Sequence, residues 1–471
     1  MADEHSASGG GSLADFGASF KGFMDQMAAQ APAAEPVFLT LVRKHFGAEP
    51  ATFPVIAQDF EAAEHANLQK AIDGYLAERG GASELIGITA DQPYALAGIG
   101  LAQLIMPARG GLWGGSGVTQ GPVQYVNIGL DEGNVLACVQ CGLFLVTEPG
   151  RKLAALVRGP SDMGMSRQVH IEVMAPRRED AERFLSELRT LMRKRNVYRG
   201  HVISLSTDRY EGVQVHFHRL PKIERDRIIL PEGLLQRIER QTLGFAKHSE
   251  RLRAMGRHLK RGLLLHGAPG TGKTLTAMYL SAQMTGRTVL LLTGRGLGLV
   301  ERSCAMARVL QPAIVILEDV DLVAEERTRP TAACTALLFE LLNQMDGLAD
   351  DADILFLLTT NRPDILEPAL ASRPGRIDQA IEVPLPDEAC RRRLLALYGQ
   401  GLELRLRRED EIIARTKGAS AAFIKELMRK AALFAADERA DAVVEDRHIE
   451  EALHELVVDG GELTKSLLGV R

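Results

Sequence analysis

Residues Arg261 to Leu275 read RGLLLHGAPGTGKTL, a dense run of chemistry in a chain of 471 residues. Leu263–Leu265 has the short apolar character of a buried strand, Gly267–Thr274 is GAPGTGKT, and an amphipathic helix is expected from Leu275 onward. Glycines at this spacing allow a tight loop whose backbone N–H groups point inward around a phosphate. A helix N-terminus behind that loop adds a favourable dipole. Lys273 is placed to reach β- and γ-phosphates, and the Thr274 hydroxyl to ligate Mg²⁺. The expected binding set for ATP and Mg²⁺ is Gly267, Ala268, Pro269, Gly270, Thr271, Gly272, Lys273, Thr274 and Leu275.

Downstream, Ile314–Leu317 runs straight into Glu318-Asp319. An apolar strand ending in paired carboxylates suits a Mg²⁺ ion and an attacking water beside a phosphate loop. One carboxylate serves the metal's water shell and the other orients and deprotonates the water. A third apolar run, Ile354–Thr359, ends in Thr360-Asn361, where a side-chain amide can position the lytic water or touch the γ-phosphate. Arg373 and Arg376, in RPGR, follow these strands rather than line the loop, which suits delivery to a neighbouring subunit's γ-phosphate.

The elements that must hold these groups are expected in five parts. Residues 1–35, rich in Ala, Gly and Ser, read as a disordered leader with a short helix near Phe16 to Met27. Residues 36–81 carry helical spacing, in Phe38, Leu41, Val42 and Phe46 and again in Leu68, Ile72 and Tyr75. Residues 82–225 read as an α+β domain, with strands at Val123–Ile128, Val135–Val146, Leu153–Val157, Val169–Val173, His201–Leu205 and Val213–His218 and a helix over Glu179–Arg195. The phosphate-loop machinery takes 226–387, and a helical region takes 388–471.

Two motifs in the first half carry less. Cys138 and Cys141 form CxxC, but no second Cys or His pair completes a four-ligand zinc site, and their odd spacing on a strand sets them on opposite faces. His216 and His218 share a strand face with no third ligand in view.

Composition narrows the class. Hydrophobic residues are 46% and charged residues 25%, ordinary for a folded domain, and the net charge of −5 gives no bulk attraction to nucleic acid or anionic membrane. The basic cluster Arg251, Arg253, Arg257, Lys260 and Arg261 reads as a solvated face. Five cysteines fit a reducing cytoplasm. Neither apolar stretch, Ala95–Met106 or Val135–Val146, reaches the roughly 18–20 residues of a spanning helix. No HExxH motif is present, so no metalloprotease is expected.

With LPEGLLQRIER (230–240), PAIVILEDVD (312–321), LLNQMDGL (341–348), LLTTNRPDILEPAL (357–370) and RPGRIDQAIEVPLPD (373–387) added to the loop, the chain resembles AAA ATPases over about 226–460. The branch includes FtsH, the proteasomal and valosin-type ATPases and the mitochondrial translocase of the Rieske subunit. KGASAAFIKELMRKAA (417–432) looks like that family's lid helix. The resemblance implies a P-loop α/β subdomain with a C-terminal helical lid; the α+β N-terminal domain lies outside it. It further implies a homo-oligomeric ring, usually a hexamer, that hydrolyses ATP with Mg²⁺ to remodel protein clients. By match, Glu318 and Asp319 are the Walker B pair, Asn361 the polar sensor, and Arg373 and Arg376 the arginine fingers.

Four departures are visible. Glu318-Asp319 reverses the common Asp-Glu order, leaving the shorter carboxylate at the catalytic position and Glu318 toward Mg²⁺ through water; the Rieske-translocase branch shares that order. Gly294–Leu299, where the family sets its aromatic pore loop, has no aromatic. The stretch before RPGR is one residue longer than usual, and Leu348 stands where FtsH-like members carry Phe. A ring remodeller whose N-terminal domain selects the client is the leading expectation; a nucleotide-dependent assembly switch with slow turnover is the alternative.

Overall fold

The computed structural model describes residues 16–23, 35–79, 81–90, 96, 98–106, 118–131, 133–160, 167–207, 212–293, 298–321, 340–347, 352–364, 377–438 and 443–459. Two compact units divide the chain: residues 1–197 with 209–213, and residues 198–208 with 214–471. Among the described residues no helix is long and apolar enough to cross a membrane.

The first unit is built on a seven-stranded antiparallel sheet of β1 (Val55–Glu61), β2 (Ala82–Ala90), β3 (Val118–Gly121), β4 (Gln124–Asp131), β5 (Asn134–Glu148), β6 (Arg151–Arg158) and β7 (Gln168–Met174). The order is β1-β7-β6-β5-β2-β3, and β4 pairs with β5. Helices cover both faces. His65–Arg79 and Arg178–Lys194 pack Leu68, Ile72, Phe184 and Leu188 against Val157 and Ile171, with Tyr75 edge-on to Phe184 at 4.8 Å. Val37–Phe46 and Leu101–Ile105 put Phe38, Val42 and Leu104 over Ile88, Leu143 and Leu156 on the other face. Covered on both sides, β5 and β6 hold near-continuous apolar runs rather than strict alternation.

Residues 36–81 are therefore not a purely helical segment. β1 lies between its two helices and pairs along its whole length with β7, as an edge strand whose short run with Gln58, Asp59 and Glu61 hides the pattern. In β5 the pairing with β4 shifts between Gln124 and Tyr125. Across that bulge Val139 packs with Phe144 and Val146, while Cys141 packs with Leu143 and Leu145. The simple alternation that set Cys138 and Cys141 on opposite faces does not run through this point. Both thiols are free and buried, and burial pushes Cys138 up to about 12 and Cys141 up to about 11. Among the described residues no three His, Cys, Asp or Glu side chains are grouped to hold a metal.

The second unit carries a sheet of β8 (Val202–Thr207), β9 (Val213–His218), β10 (Arg261–His266), β11 (Thr288–Leu292), β12 (Ala313–Leu317), β13 (Ile354–Thr360) and β14 (Gln379–Glu382), in the order β14-β10-β13-β12-β11-β8-β9. From β14 to β8 the strands pair in parallel. β12 and β13 are buried along their whole lengths, as parallel strands covered on both faces must be. The sequence pattern had grouped His201–Leu205 and Val213–His218 with the first domain. Instead β8 pairs with β11, Ile203 opposite Leu290, because β11 offers an open parallel edge that a short apolar strand can extend. His218 and His216 are exposed on β9, each with Nε2 2.7 Å from Ser204 Oγ and Ser206 Oγ respectively.

Helices Glu388–Tyr398, Glu409–Arg415, Ala421–Glu438 and Asp446–His454 form the C-terminal helical region around Phe423, Leu427, Ile449 and Leu453. Asp387 caps the first of them by accepting from the Cys390 backbone N–H at 2.8 Å.

Ile203 is fully buried, so Ile203→Ala is expected to cost about 3 kcal/mol. In calorimetry of the full chain that loss falls on the melting transition that ATP raises. A loss confined to a transition insensitive to ATP contradicts the assignment of β8 to the nucleotide-binding unit.

Candidate functional site

The parallel strands deliver their C-terminal ends to one edge, the ordinary location for a ligand on an open α/β sheet. After β10, the chain turns sharply through Gly267 (φ 143) and Gly270 (φ 72). Neither position tolerates a side chain. A Cβ on Gly267 would lie 2.3 Å from the Val383 carbonyl oxygen, and one on Gly270 would lie 2.8 Å from both Ala422 Cβ and Ser420 Oγ. Helix Lys273–Gln283 then begins directly behind the loop.

Lys273 is 5% exposed, and its Nζ donates to Gly267 O at 3.0 Å and Ala268 O at 2.8 Å. Burial pushes its ammonium pKa down, and the neighbouring charges of Asp319 and Asp321 oppose that shift. Thr271 ties the loop to itself by donating to Ala268 O at 3.0 Å. Thr274 and Leu275 stand exposed at the mouth of the site.

A cavity of about 580 Å³ opens over this loop, lined by residues 269–276 and by Asp319 and Asn361. The rest of the lining is largely apolar, with Ile223, Ile229, Met278, Leu394 and Tyr398, a surface a flat heteroaromatic ring would suit. The helical region closes directly on the loop: Ala422 N donates to Gly270 O at 3.1 Å, and Lys425 lines the same cavity.

The acidic side is organised by the ends of β12 and β13. Glu318 continues the strand direction, its backbone N–H donating to Leu292 O at 3.1 Å. Asp319 then takes a left-handed conformation (φ 46), among the few non-glycine types that do so readily. Its backbone N–H donates to Thr359 Oγ1 at 3.0 Å, and its Oδ1 accepts from Asn361 Nδ2 at 3.3 Å. The turn aims Asp319 into the cavity, whereas Glu318 sits behind it, half-buried, with Oε1 lacking any hydrogen-bond partner. Burial first, and then Asp319, push the Glu318 carboxyl pKa up. Asp319 is raised by burial and by Asp321, against Lys273 and the Asn361 hydrogen bond.

Residues expected from spacing alone therefore converge: Lys273, Thr274, Asp319 and Asn361 line one cavity, with Glu318 beside it. Arg373, Arg376, residues 294–297 of the aromatic-free loop, Leu348 and the stretch before RPGR lie outside the described residues. Sequence reasoning gave no role to Asp321, which is 8% exposed and accepts from Thr360 Oγ1 at 2.8 Å and Asn361 N at 3.1 Å. An acid two residues past the carboxylate pair, in a segment that must turn against β13, was the available signal. Tyr398 and Lys425 carried no comparable signal.

Residues 263–385 match the model of the ATPase family associated with various cellular activities (AAA). The chain carries an AAA domain. A proteasome-activating nucleotidase of Methanothermobacter thermautotrophicus is 35% identical over 214 residues, 42% of this chain and 52% of that protein. The ATP-dependent zinc metalloprotease FtsH 3 of Sorangium cellulosum is 35% identical over 226 residues, 45% of this chain and 37% of the relative. The 26S proteasome regulatory subunit 8 of Caenorhabditis elegans is 35% identical over 213 residues, 42% of this chain and 51% of the relative. The match with the nucleotidase spans about half of that protein's length.

The donor set of the AAA domain fits a divalent cation with hard oxygen ligands: the Thr274 hydroxyl, the unpartnered Glu318 Oε1 and the nearby Asp319. In this AAA domain Lys273→Met removes the cationic donor while keeping an unbranched chain. It is expected to weaken ATP binding about 10- to 100-fold, the scale of a charged hydrogen bond. Titration calorimetry on the full chain measures this, and an unchanged affinity contradicts the assignment of Lys273 to the phosphates.

Proposed function

We propose that the protein is a Mg²⁺-dependent ATP hydrolase that works as a homo-oligomeric ring, usually of six, and remodels protein clients selected by its first unit. The observation that carries the reading is the convergence of Lys273, Asp319 and Asn361 on one cavity floored by a glycine loop. In this reading the loop's backbone and Lys273 bind the β- and γ-phosphates. Asp319 accepts a proton from the attacking water and Asn361 orients that water. Thr274, and Glu318 through water, would hold Mg²⁺, which supplies charge neutralisation on the phosphates when bound. Arg373 and Arg376 are proposed to act on a neighbouring subunit's nucleotide. The proposed setting is cytoplasmic, in keeping with free buried thiols at Cys138, Cys141, Cys304 and Cys390.

A second reading has its own support. Asp319 is one methylene shorter than Glu, and Gly294–Leu299 offers no aromatic to grip a polypeptide. Both suit a nucleotide-dependent assembly switch with slow turnover.

Steady-state ATPase rate per chain across protein concentrations separates the two. A ring hydrolase gives a rate that climbs with concentration and is lost in Arg376→Ala. A rate near zero alongside measurable ATP binding favours the switch. Chelation of Mg²⁺ with EDTA is expected to abolish turnover in the wild-type chain, with restoration by added Mg²⁺; turnover that persists in excess EDTA overturns the metal assignment.

A further inference from the structure

The ends of β12 and β13 are joined by more hydrogen bonds than sheet pairing requires. Val320 N donates to Thr359 O at 3.1 Å, and Asp319 N donates to Thr359 Oγ1 at 3.0 Å. Asp321 Oδ1 alone accepts twice, from the Thr360 hydroxyl at 2.8 Å and from the Asn361 backbone N–H at 3.1 Å. Thr360 Oγ1 in turn accepts from Arg362 N at 3.0 Å. Thr359 and Thr360 are fully buried and Asp321 nearly so, so water does not compete for these contacts.

Beyond this buried knot, the side chain of Asn361 makes a single longer contact, Nδ2 to Asp319 Oδ1 at 3.3 Å. A small rotation of the Thr360–Asn361 turn would break it. Asn361 has a second amide hydrogen and Asp319 a second oxygen, and both residues line the cavity.

We propose that Asp321 is a positioning residue for hydrolysis: by holding the Thr360–Asn361 turn through one oxygen, it fixes the Asn361 amide against Asp319. The proposal rests on the hydrolase reading of the site. Asp321 is not among the residues that line the cavity. Its carboxylate accepts two donors at once, and charge makes such bonds about twice as strong as neutral ones. A buried acid whose oxygen is saturated by a turn would otherwise be an ordinary support of the fold, and the two roles differ in what they move. A fold support alters stability and nucleotide affinity together with rate. A positioning residue alters kcat and leaves KM and affinity in place, since misplacement by about 1 Å can cost on the order of 100-fold in rate.

The experiment measures kcat, KM and the affinity for a fluorescent ATP analogue on the full chain. The variants are Thr360→Val, Thr360→Ser and Asp321→Ala. Thr360→Val keeps the shape of the buried side chain and removes only the hydroxyl, so it remains informative if Asp321→Ala fails to fold. Expected are a fall in kcat of about 10- to 100-fold in Thr360→Val and Asp321→Ala, with KM and affinity within about threefold, and recovery of kcat in Thr360→Ser. A wild-type chain that turns over ATP while Thr360→Val matches it overturns the positioning role alone. So does a loss of rate that runs parallel to a loss of affinity. A wild-type chain that binds ATP without turnover removes the hydrolase reading and this role with it.

Discussion

The parallel insertion of β13 between β10 and β12 is the constraint on which the site depends. Its register sets His266 opposite Thr360 and Leu317 opposite Leu358, so three strands end within a few residues of the same edge. The phosphate loop, the carboxylate pair and the Asn361 amide, distant in sequence, then leave the sheet side by side. All seven residues of β13 are buried, and none is charged: four aliphatic residues and one Phe are followed by two threonines whose hydroxyls find partners in the loop after β12. A charge within this strand would be desolvated on both faces at a cost the fold could not offset. The threonines sit at its end, where the chain changes from scaffold to site.

Charge is unevenly distributed at that edge. Asp319 and Asp321 act on Lys273, with Glu318 next to Asp319 in sequence; burial raises Glu318 and Asp319, and Asp321 adds to the pressure on Asp319. Two carboxylates that act on one ammonium, which itself leans on loop carbonyls, are in keeping with the proposed entry of a cation with the nucleotide rather than a bare polyphosphate. The left-handed turn at Asp319 separates the two adjacent acids, aiming one into the cavity and keeping the other behind it. Side-chain order therefore changes which acid is shorter, while the backbone decides which of them faces the phosphate end.

Legibility of the fold followed how directly a residue's type reports its surroundings. The glycine loop was readable because Gly267 and Gly270 are required by backbone shape and close contact, and no other residue meets both demands. Strands β5, β6, β7 and β12 were readable from apolar runs, and Arg178–Lys194 from its single apolar face. β1 was not, because its exposed positions, Ala57, Asp59 and Glu61, and its half-buried Gln58 break any apolar run. The assignment of β8 failed for a different reason: its sequence says strand, but only pairing says which sheet. Asp321 was passed over because its function lies in what its oxygen accepts, from Thr360 and Asn361 about 40 positions away in sequence. A buried acid looks the same as an exposed one in a string of letters.

The same loop that meets the phosphates also meets the helical region. Gly270 offers its carbonyl to Ala422 N and has no room for a Cβ between itself and Ser420. Small residues at 421 and 422 let helix Ala421–Glu438 begin on the loop, and Ser420 Oγ caps that helix by accepting from Phe423 N at 3.1 Å. Leu394 and Tyr398, on helix Glu388–Tyr398, add to the apolar lining of the cavity. In the proposed reading, a nucleotide in this cavity meets the loop through its phosphates and the helical region through its base. Any rotation of that region must either break the contact at Gly270 or carry the loop with it. The ligand's two ends report on two bodies at once, and a close contact between a glycine and an alanine is the joint through which their positions are linked.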